Sequence, residues 1–242
     1  DNRNFLLANT ISNNEINNPV LEFAYQGPKL KYIGENISIN VTGDVNFKII
    51  RKNKNLEFSC YENIILEDND CLDILSTNRS VYGYLSIGGT FEVDYYLNSC
   101  STNTKAKIGA NGGEKLEKGQ IIHLKNIKKI LPKNKIEYLN SKIENIRIIK
   151  GPHFDYFSKD AIDSFFSNEF NVTKLSDRMG IRLKGPKISN IKNTNIKSEG
   201  LVKGVIQITA DGDPIIMLSD HGTIGGYPKI GVVISADYDK LV

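Results

Sequence analysis

The sequence predicts a mostly β protein with one or two short helices. From Val20 onward, short runs rich in β-branched and aromatic residues recur at close, fairly even spacing, and Gly, Pro, Asn and Asp separate them. Only two stretches place apolar residues at helical spacing. Strands in such close succession argue for a barrel or sandwich rather than a fold of alternating strands and helices.

In order, Phe5, Leu6 and Ala8 line a short helix that the Asn-rich run up to Pro19 ends. Leu21–Tyr25, Leu30–Ile33 and Ile37–Val41 alternate in the period of a strand. Phe47–Ile50, Ile64–Leu66, Leu72–Leu75, Val81–Ile87 and Gln120–Leu124 continue the series. Between the last two, Ser99, Ser101 and Thr102 surround Cys100, and Gly109, Gly112 and Gly113 follow. No Gly-Lys-Ser/Thr and no following helix accompany them, so turn chemistry accounts for them better than a phosphate loop. Residues 125–145, rich in Lys and Asn and holding Pro132, read as a connection between domains. Ile146–Ile149 restarts the strands. Ser158 caps the second helix, expected over 158–170, where Ala161, Ile162, Phe165 and Phe166 form its core face. Val172–Leu175, Ile181–Leu183, Gly204–Ile208, Pro214–Leu218 and Ile230–Ile234 are the remaining strands, and Asp211-Gly212 marks a turn.

Composition bounds the function. With 40% hydrophobic and 24% charged residues among 242, the chain can bury a core and resembles an ordinary globular protein. A formal net charge of +3, with Lys scattered along the chain, does not make the gathered basic face that nucleic acid requires. Cys60, Cys71 and Cys100 are an odd count at spacings that match no zinc pattern; reduced, partly buried thiols and a cytoplasmic location are expected, with no metal. No run reaches the roughly 18 apolar residues of a membrane span. The chain opens at Asp1 without Met and stops at Val242 soon after a strand, so pieces are expected to be missing at both ends.

The eleven residues Ser219–Lys229 are too many for a tight hairpin between the last two strands. Loops of that length on a rigid scaffold hold binding groups. Asp220, His221, Thr223, Tyr227 and Lys229 provide a carboxylate, an imidazole, two hydroxyls and an ammonium, and Gly225-Gly226 offers backbone freedom and close approach to a ligand. With Asp177, Arg178, Glu199 and Gln207, these polar groups sit at strand ends, which a barrel can gather at one mouth. Residue spacing alone stops at a mostly β, two-part protein with a Gly-rich polar loop.

The C-terminal half resembles a specific family. Gly151-Pro152-His153 with Asp155 and Phe157, Ser176 to Leu183 with Gly185, Ser198-Glu199-Gly200, Gly204 with Gln207, Asp211-Gly212 with Pro214, and Asp220 with Thr223 and Gly225–Pro228 carry the likeness. They are similar to the C subunit of bacterial 5-oxoprolinase, the allophanate hydrolase subunit 2 family and the carboxyltransferase domain of urea carboxylase. Ala8-Asn9, Leu21-Glu22, Gly27-Pro28, Gly88-Gly89, Ser99, Ser101-Thr102 and Gly112-Gly113 fit the first half, although Glu114 and Gln120 stand where relatives usually carry Arg and Asp.

The resemblance implies two cyclophilin-like β-barrel subdomains, residues 1–142 and 143–242, the first lacking its opening segment. It implies one component of an ATP-dependent 5-oxoprolinase, converting 5-oxoproline to glutamate in a heteromeric complex with B-like and A-like partner proteins of the same enzyme, ATP being held with Mg at the level of the complex. The alternatives are a biotin-dependent carboxyltransferase acting on an amide, with biotin arriving on another protein, and a regulatory protein that antagonises a kinase inhibitor. For the hydrolase, Glu199, Asp220 and Asp177 form the expected catalytic set, with Glu199 or Asp220 as general base. Arg178 and Lys229 neutralise a carboxylate or phosphate, Gln207 binds the amide, and Thr223, Gly225, Gly226, Tyr227 and His153 complete the substrate site.

Overall fold

Helix α1 spans Asn2–Ile11 in the computed structural model, which describes residues 1–137, 145–192 and 194–242. Asp1 caps it, its Oδ1 accepting from the Asn4 N–H at 3.0 Å, a cap that typically contributes about 1 kcal/mol. The chain divides into two units, Asp1–Ser141 with Val242 and Lys142–Leu241. The 142/143 boundary, with residues 138–144 near the end of the Lys- and Asn-rich connection, lies outside the described residues.

In the first unit β1 (Leu21–Ala24), β2 (Lys29–Lys31), β3 (Ile37–Thr42), β4 (Val45–Arg51), β5 (Lys54–Glu57), β6 (Ile64–Leu66), β7 (Cys71–Thr77) and β8 (Tyr82–Ile87) form two four-stranded antiparallel sheets, ordered β1-β8-β3-β6 and β2-β7-β4-β5. Alternate residues of both meet in one core: Ile37, Ile39, Val41 and Ile87 from the first sheet, Phe47, Ile49, Leu72 and Ile74 from the second. The hairpin joining β4 to β5 turns on Lys52 and Asn53, both with left-handed φ (47° and 62°). α1 covers the other face of the first sheet through polar contacts: Asn40 Nδ2 donates to Ala8 O and Ser12 Oγ, and Thr42 Oγ1 to Asn4 O. Two short ribbons follow, β9 (Thr90–Phe91) with β12 (Leu124–Lys125), and β10 (Thr102–Asn103) with β11 (Ile108–Gly109). The strand expected over Gln120–Leu124 is reduced to β12.

The second unit holds β13 (Ile148–Lys150), α2 (Lys159–Ser167), β14 (Asn171–Val172), β15 (Gly180–Lys184), β16 (Glu199–Gly200), β17 (Val205–Ile208), β18 (Pro214–Met217), β19 (Ile224–Gly225) and β20 (Lys229–Val233). Six of these strands make one antiparallel sheet ordered β13-β20-β17-β18-β15-β14, and β16 pairs with β19 as a separate ribbon. Ser158 caps α2 by accepting from Ala161 N–H at 3.2 Å, as expected, but the helix stops at Ser167 and leaves Phe166 58% exposed, outside the core. Asn168 turns extended there, which ends the helical hydrogen bonds. The strand expected over Val172–Leu175 is only β14, because Ser176 N–H bonds back to Thr173 O and curls the chain.

Among the described residues the protein is therefore mostly β with two short α-helices. Among the described residues its ladders form open sheets and ribbons. The six-stranded sheet has two faces. On one, Ile206, Ile208, Ile230 and Val233 pack with Phe157 and Ala161 and, less deeply, with Ile162 and Phe165 of α2. On the other, Val205, Ile215 and Met217 pack with Leu201.

Candidate functional site

Side chains alternate along β17, so Gln207 sits between Ile206 and Ile208 and shares the face of Val205, away from α2. Gln207 is 3% exposed, and its ladder partners are Ile215 on β18 and Lys229 on β20, where a bulge between Ile206 and Gln207 shifts the register. The β16–β19 ribbon lies against this face. Its cross-strand partners Glu199 and Gly225 each rest on one member of the pair beneath. Lys229 Nζ donates to Glu199 Oε2 at 3.1 Å, and a Cβ placed on Gly225 would stand 2.7 Å from Gln207 Nε2. Two pairs, Glu199–Gly225 and Lys229–Gln207, are thus stacked one on the other.

Burial within this stack is uneven. The Lys229 side chain is 3% exposed and that of Glu199 48% exposed, so the cation is interior and the carboxylate faces out. The hydrogen bond from Lys229 holds the Glu199 carboxyl below its usual range, against a smaller opposing effect of burial and with added help from the Lys229 charge. Glu199 is therefore ionised at neutral pH. Among the described residues its Oε2 takes the contacts, leaving Oε1 directed elsewhere. His153 comes in beside β20. Its N–H donates to Lys229 O at 3.2 Å, its Nδ1 faces the Lys229 N–H at 3.4 Å, and its Nε2 lies 3.6 Å from Glu199 Oε2. Gly151 lets the chain approach that closely, since any Cβ there would stand 2.3 Å from Lys229 O.

The loop from Ser219 to Lys229 is more ordered than its sequence suggests, because Ile224–Gly225 is the strand β19 inside it. Gly225 and Gly226 do not use left-handed backbone, which corrects one expectation: what they contribute is proximity. Gly225 packs on Gln207 and Leu201, and Gly226 lies near Ile196 O, donating no side chain to the contact, while its own carbonyl accepts from Ile196 N–H at 2.8 Å. Tyr227 enters through its backbone carbonyl, which accepts from Gln207 Nε2 at 3.1 Å and fixes the amide. Thr223 is exposed, and its carbonyl accepts from Leu201 N–H at 3.0 Å, tying the loop to the end of β16.

Arg178, Asp220 and Asp177 form a second group at the turn leading into β15. Arg178 Nε and Nη2 meet Asp220 Oδ2 and Oδ1 at 2.9 and 3.4 Å, and the Asp220 N–H donates to Arg178 O at 2.9 Å. Backbone and side chain therefore both clamp the start of the long loop to this turn. Asp177 Oδ1 accepts from the Met179 N–H at 2.8 Å, and its backbone pairs in both directions with Gly180 at 3.2 Å.

Sequence reasoning passed over Leu201, Ile196 and Tyr156. Leu201 supports Gly225, Ile196 brackets Gly226, and the Tyr156 ring stands edge-on to His153 at 4.9 Å between centroids. Only tertiary contact reveals these; Ser198-Glu199-Gly200 was the nearest signal in the sequence. A shallow depression of about 250 Å³, lined by Lys187, Ile188, Asn190, Thr209 and Gly212 among others, shares no residue with the site. Among the described residues no group of three or more His, Cys, Asp or Glu is arranged to hold a metal ion, and no helix is long and apolar enough to cross a membrane.

The C subunit of 5-oxoprolinase from Escherichia coli (strain K12) is 31% identical over 174 residues, which is 69% of this chain and 55% of that protein. Its counterpart in Haemophilus influenzae is 28% identical over 234 residues, 97% of this chain and 74% of that one. The urea amidolyase of Saccharomyces cerevisiae is 28% identical over 258 residues, covering 98% of this chain but 14% of its own length. Among solved structures, TTHA0988 superposes over 100% of this chain and 46% of its own, with a TM-score of 0.85 and 26% identity. The Kluyveromyces lactis urea amidolyase covers 100% of this chain and 16% of its own, with a TM-score of 0.86 and 26% identity. The chain thus spans about half of the E. coli protein and of TTHA0988. The model of the carboxyltransferase domain, subdomain A and B, matches residues 1–242, and the chain belongs to that family.

Proposed function

We propose that the chain is the amide-handling component of an ATP-dependent lactam hydrolase of the 5-oxoprolinase type, working with A-like and B-like partner proteins of that enzyme. One observation carries the reading: an outward-facing carboxylate, Glu199, is kept ionised by a buried ammonium, Lys229, directly beside the buried amide of Gln207. A carboxylate of that kind can take a proton from water, and the buried amide beneath it keeps the ribbon that carries it in place. The 5-oxoprolinase components among the relatives supply the substrate class.

In this reading Glu199 Oε1 accepts the proton of the attacking water. The water oxygen bonds to the lactam carbonyl carbon, the ring C–N bond breaks, and the ring nitrogen takes up a proton to become the amine of glutamate. Lys229 fixes Glu199 and balances its charge. Gln207, buried and bonded to the Tyr227 carbonyl, holds the β16–β19 ribbon that carries Glu199, and the absence of a side chain on Gly225 lets that ribbon lie close. Arg178–Asp220 keeps the loop in register. ATP lies outside these roles. Both cations of the site are engaged by carboxylates, Lys229 with Glu199 and Arg178 with Asp220, so they do not fit a triphosphate cradle, and nucleotide binding is assigned to the partners. ATP held by the partners would supply the activation: phosphoryl transfer to the lactam oxygen would open the ring carbon to this attack, and phosphate would leave before glutamate is released.

A second reading has one observation in its favour: urea amidolyases match 98% of this chain. There the site would accept a carboxyl group from carboxybiotin on another protein and place it on an amide nitrogen. The test is coexpression with the A-like and B-like partners, purification of the complex, and assay of glutamate from 5-oxoproline with and without ATP. ATP-dependent glutamate supports the hydrolase. Absence of glutamate from the intact complex, with carboxyl transfer from carboxybiotin to an amide, overturns it.

A further inference from the structure

His153 stands among the expected substrate-binding residues, yet its contacts point to another duty. It is 7% exposed and packs edge-on against Tyr156. Its Nδ1 faces a backbone donor, the Lys229 N–H, and a ring nitrogen that accepts a hydrogen bond carries no proton. The proton of the neutral ring is then on Nε2, which lies 3.6 Å from Glu199 Oε2, the oxygen that Lys229 also contacts. At 3.6 Å the approach is not yet a formed hydrogen bond, and such contacts shorten when a site fills. The charged and titratable groups around the ring are Glu199, Lys229, Tyr156 and Asp155, with Lys192 over the outer face of Tyr156 and paired to Asp155.

We infer that His153 is a positioning residue: held as the Nε2–H tautomer by the Lys229 backbone, it clamps Glu199 Oε2 from one side while Lys229 Nζ holds it from the other, so that Oε1 is aimed at the reacting water. The inference rests on the reading of Glu199 as the reacting carboxylate. His153 itself does not touch the substrate. One ring nitrogen and one ammonium on a single carboxylate oxygen leave that side chain one orientation, which a lone lysine on an exposed glutamate does not.

The chain contains its own control. His221 Nδ1 lies 2.7 Å from Gly222 O, an acceptor, so His221 carries its proton on Nδ1, the opposite tautomer. Long-range ¹⁵N–¹H NMR of the purified chain separates the two, with the spectrum of His153→Gln identifying His153 among the three histidines. The expected result at pH 8 is Nε2–H for His153 and Nδ1–H for His221; Nδ1–H at His153 overturns the proposal. In the reconstituted complex, His153→Phe lowers kcat about tenfold with KM unchanged, and His153→Gln, whose amide N–H occupies the place of Nε2–H, restores kcat to within about twofold. A rise in KM with kcat unchanged makes His153 a substrate contact and overturns the proposal. If wild type does not turn over 5-oxoproline at all while His153 shows Nε2–H, the hydrolase reading fails and the clamp on Glu199 is upheld.

Discussion

Lys229 and Glu199 meet with their usual places exchanged: the ammonium is interior, the carboxylate faces solvent, and Nζ lies 3.1 Å from Oε2. A buried cation is costly unless paired, and removing one partner of such a pair typically costs about 3–5 kcal/mol when both are interior. The partner that remains in Glu199→Gln is the interior one, but glutamine keeps an oxygen that accepts from Nζ at the solvent-facing end of the pair, so the variant is expected to leave the fold intact while removing the charge that balances Lys229. Thermal unfolding of Glu199→Gln checks this, with a change in Tm of less than about 5 °C expected.

Lys229→Met tests the electrostatics directly. Glu199 titrates below the ordinary carboxylate range because Lys229 hydrogen-bonds its ionised form. Its contribution to stability is therefore fully present above the unfolded value and fades as pH falls through the lowered folded value. In Lys229→Met that acid-side loss should flatten, and the ¹³C titration of Glu199 should move up toward an ordinary glutamate. An unchanged Glu199 midpoint contradicts the assigned cause.

Gly225→Ala and Gly226→Ala should separate sharply. A methyl on Gly225 meets Gln207 Nε2 at 2.7 Å and Leu201 Cδ1 at 2.8 Å, whereas on Gly226 its closest contact is Ile196 O at 3.1 Å. Gln207 must leave the Tyr227 carbonyl to make room, so Gly225→Ala is expected to lower activity by about tenfold or more while Gly226→Ala retains most of it. Rates in the reconstituted complex, with Tm as a control for folding, decide. Equal losses would return both glycines to a common structural role.

Asp237 shows what a wholly interior carboxylate does in the same unit. It is fully buried and accepts from Arg147 N, Nε and Nη2 at 2.8, 2.9 and 2.8 Å and lies 2.9 Å from Lys240 Nζ. The Arg147 hydrogen bonds hold its acid well below the usual range, so it stays charged at any pH where the protein is handled, and its contribution fades only under strongly acid conditions. Asp237→Asn should lower Tm by about 5 °C or more without changing the NMR tautomer of His153.

Cys60 is expected to be chemically silent. Burial pushes its thiol up to about 11, and its Sγ contacts Val45 O at 3.1 Å. At pH 8 the thiolate fraction is then on the order of 10⁻³, and alkylation of native Cys60, mapped by mass spectrometry, should run at least about tenfold slower than after unfolding. Rapid labelling in the native state would place Cys60 on the surface.

What the sequence made legible follows the range of the forces involved. Short β-branched runs bounded by turn residues located β3, β4, β7, β8, β17, β18 and β20, and β3, β8 and β17 are buried at every position because both faces of their sheets are covered. Ser158 announced α2 through its cap. The ribbon of β16 and β19 was hidden: two residues per strand carry no period, and Glu199–Gly200 and Ile224–Gly225 are strands only because they pair with each other. Helix α2 ended early for a similar reason, since Asn168 turns extended to bring Phe170 against Phe165. Polar residue types placed Glu199, Gln207 and Lys229 in one list, but the stacking of Glu199–Gly225 on Lys229–Gln207 depends on a bulge at Gln207 that no local pattern encodes. The same geometry sorts the carboxylates: Asp177 holds a turn, Asp220 holds Arg178, and Glu199 is a half-exposed partner of a buried lysine.

In the proposed hydrolase Glu199, and not Asp220, is the reacting carboxylate. The most direct measurement compares kcat of Glu199→Gln and Asp220→Asn in the complex with the A-like and B-like partners, with Tm recorded for each. Glu199→Gln is predicted to lose about a hundredfold or more at unchanged Tm, and Asp220→Asn to lose Tm first, with kcat of the folded fraction within about threefold of wild type. A Glu199→Gln enzyme within about threefold of wild type, or an Asp220→Asn enzyme about a hundredfold slower at unchanged Tm, would contradict it.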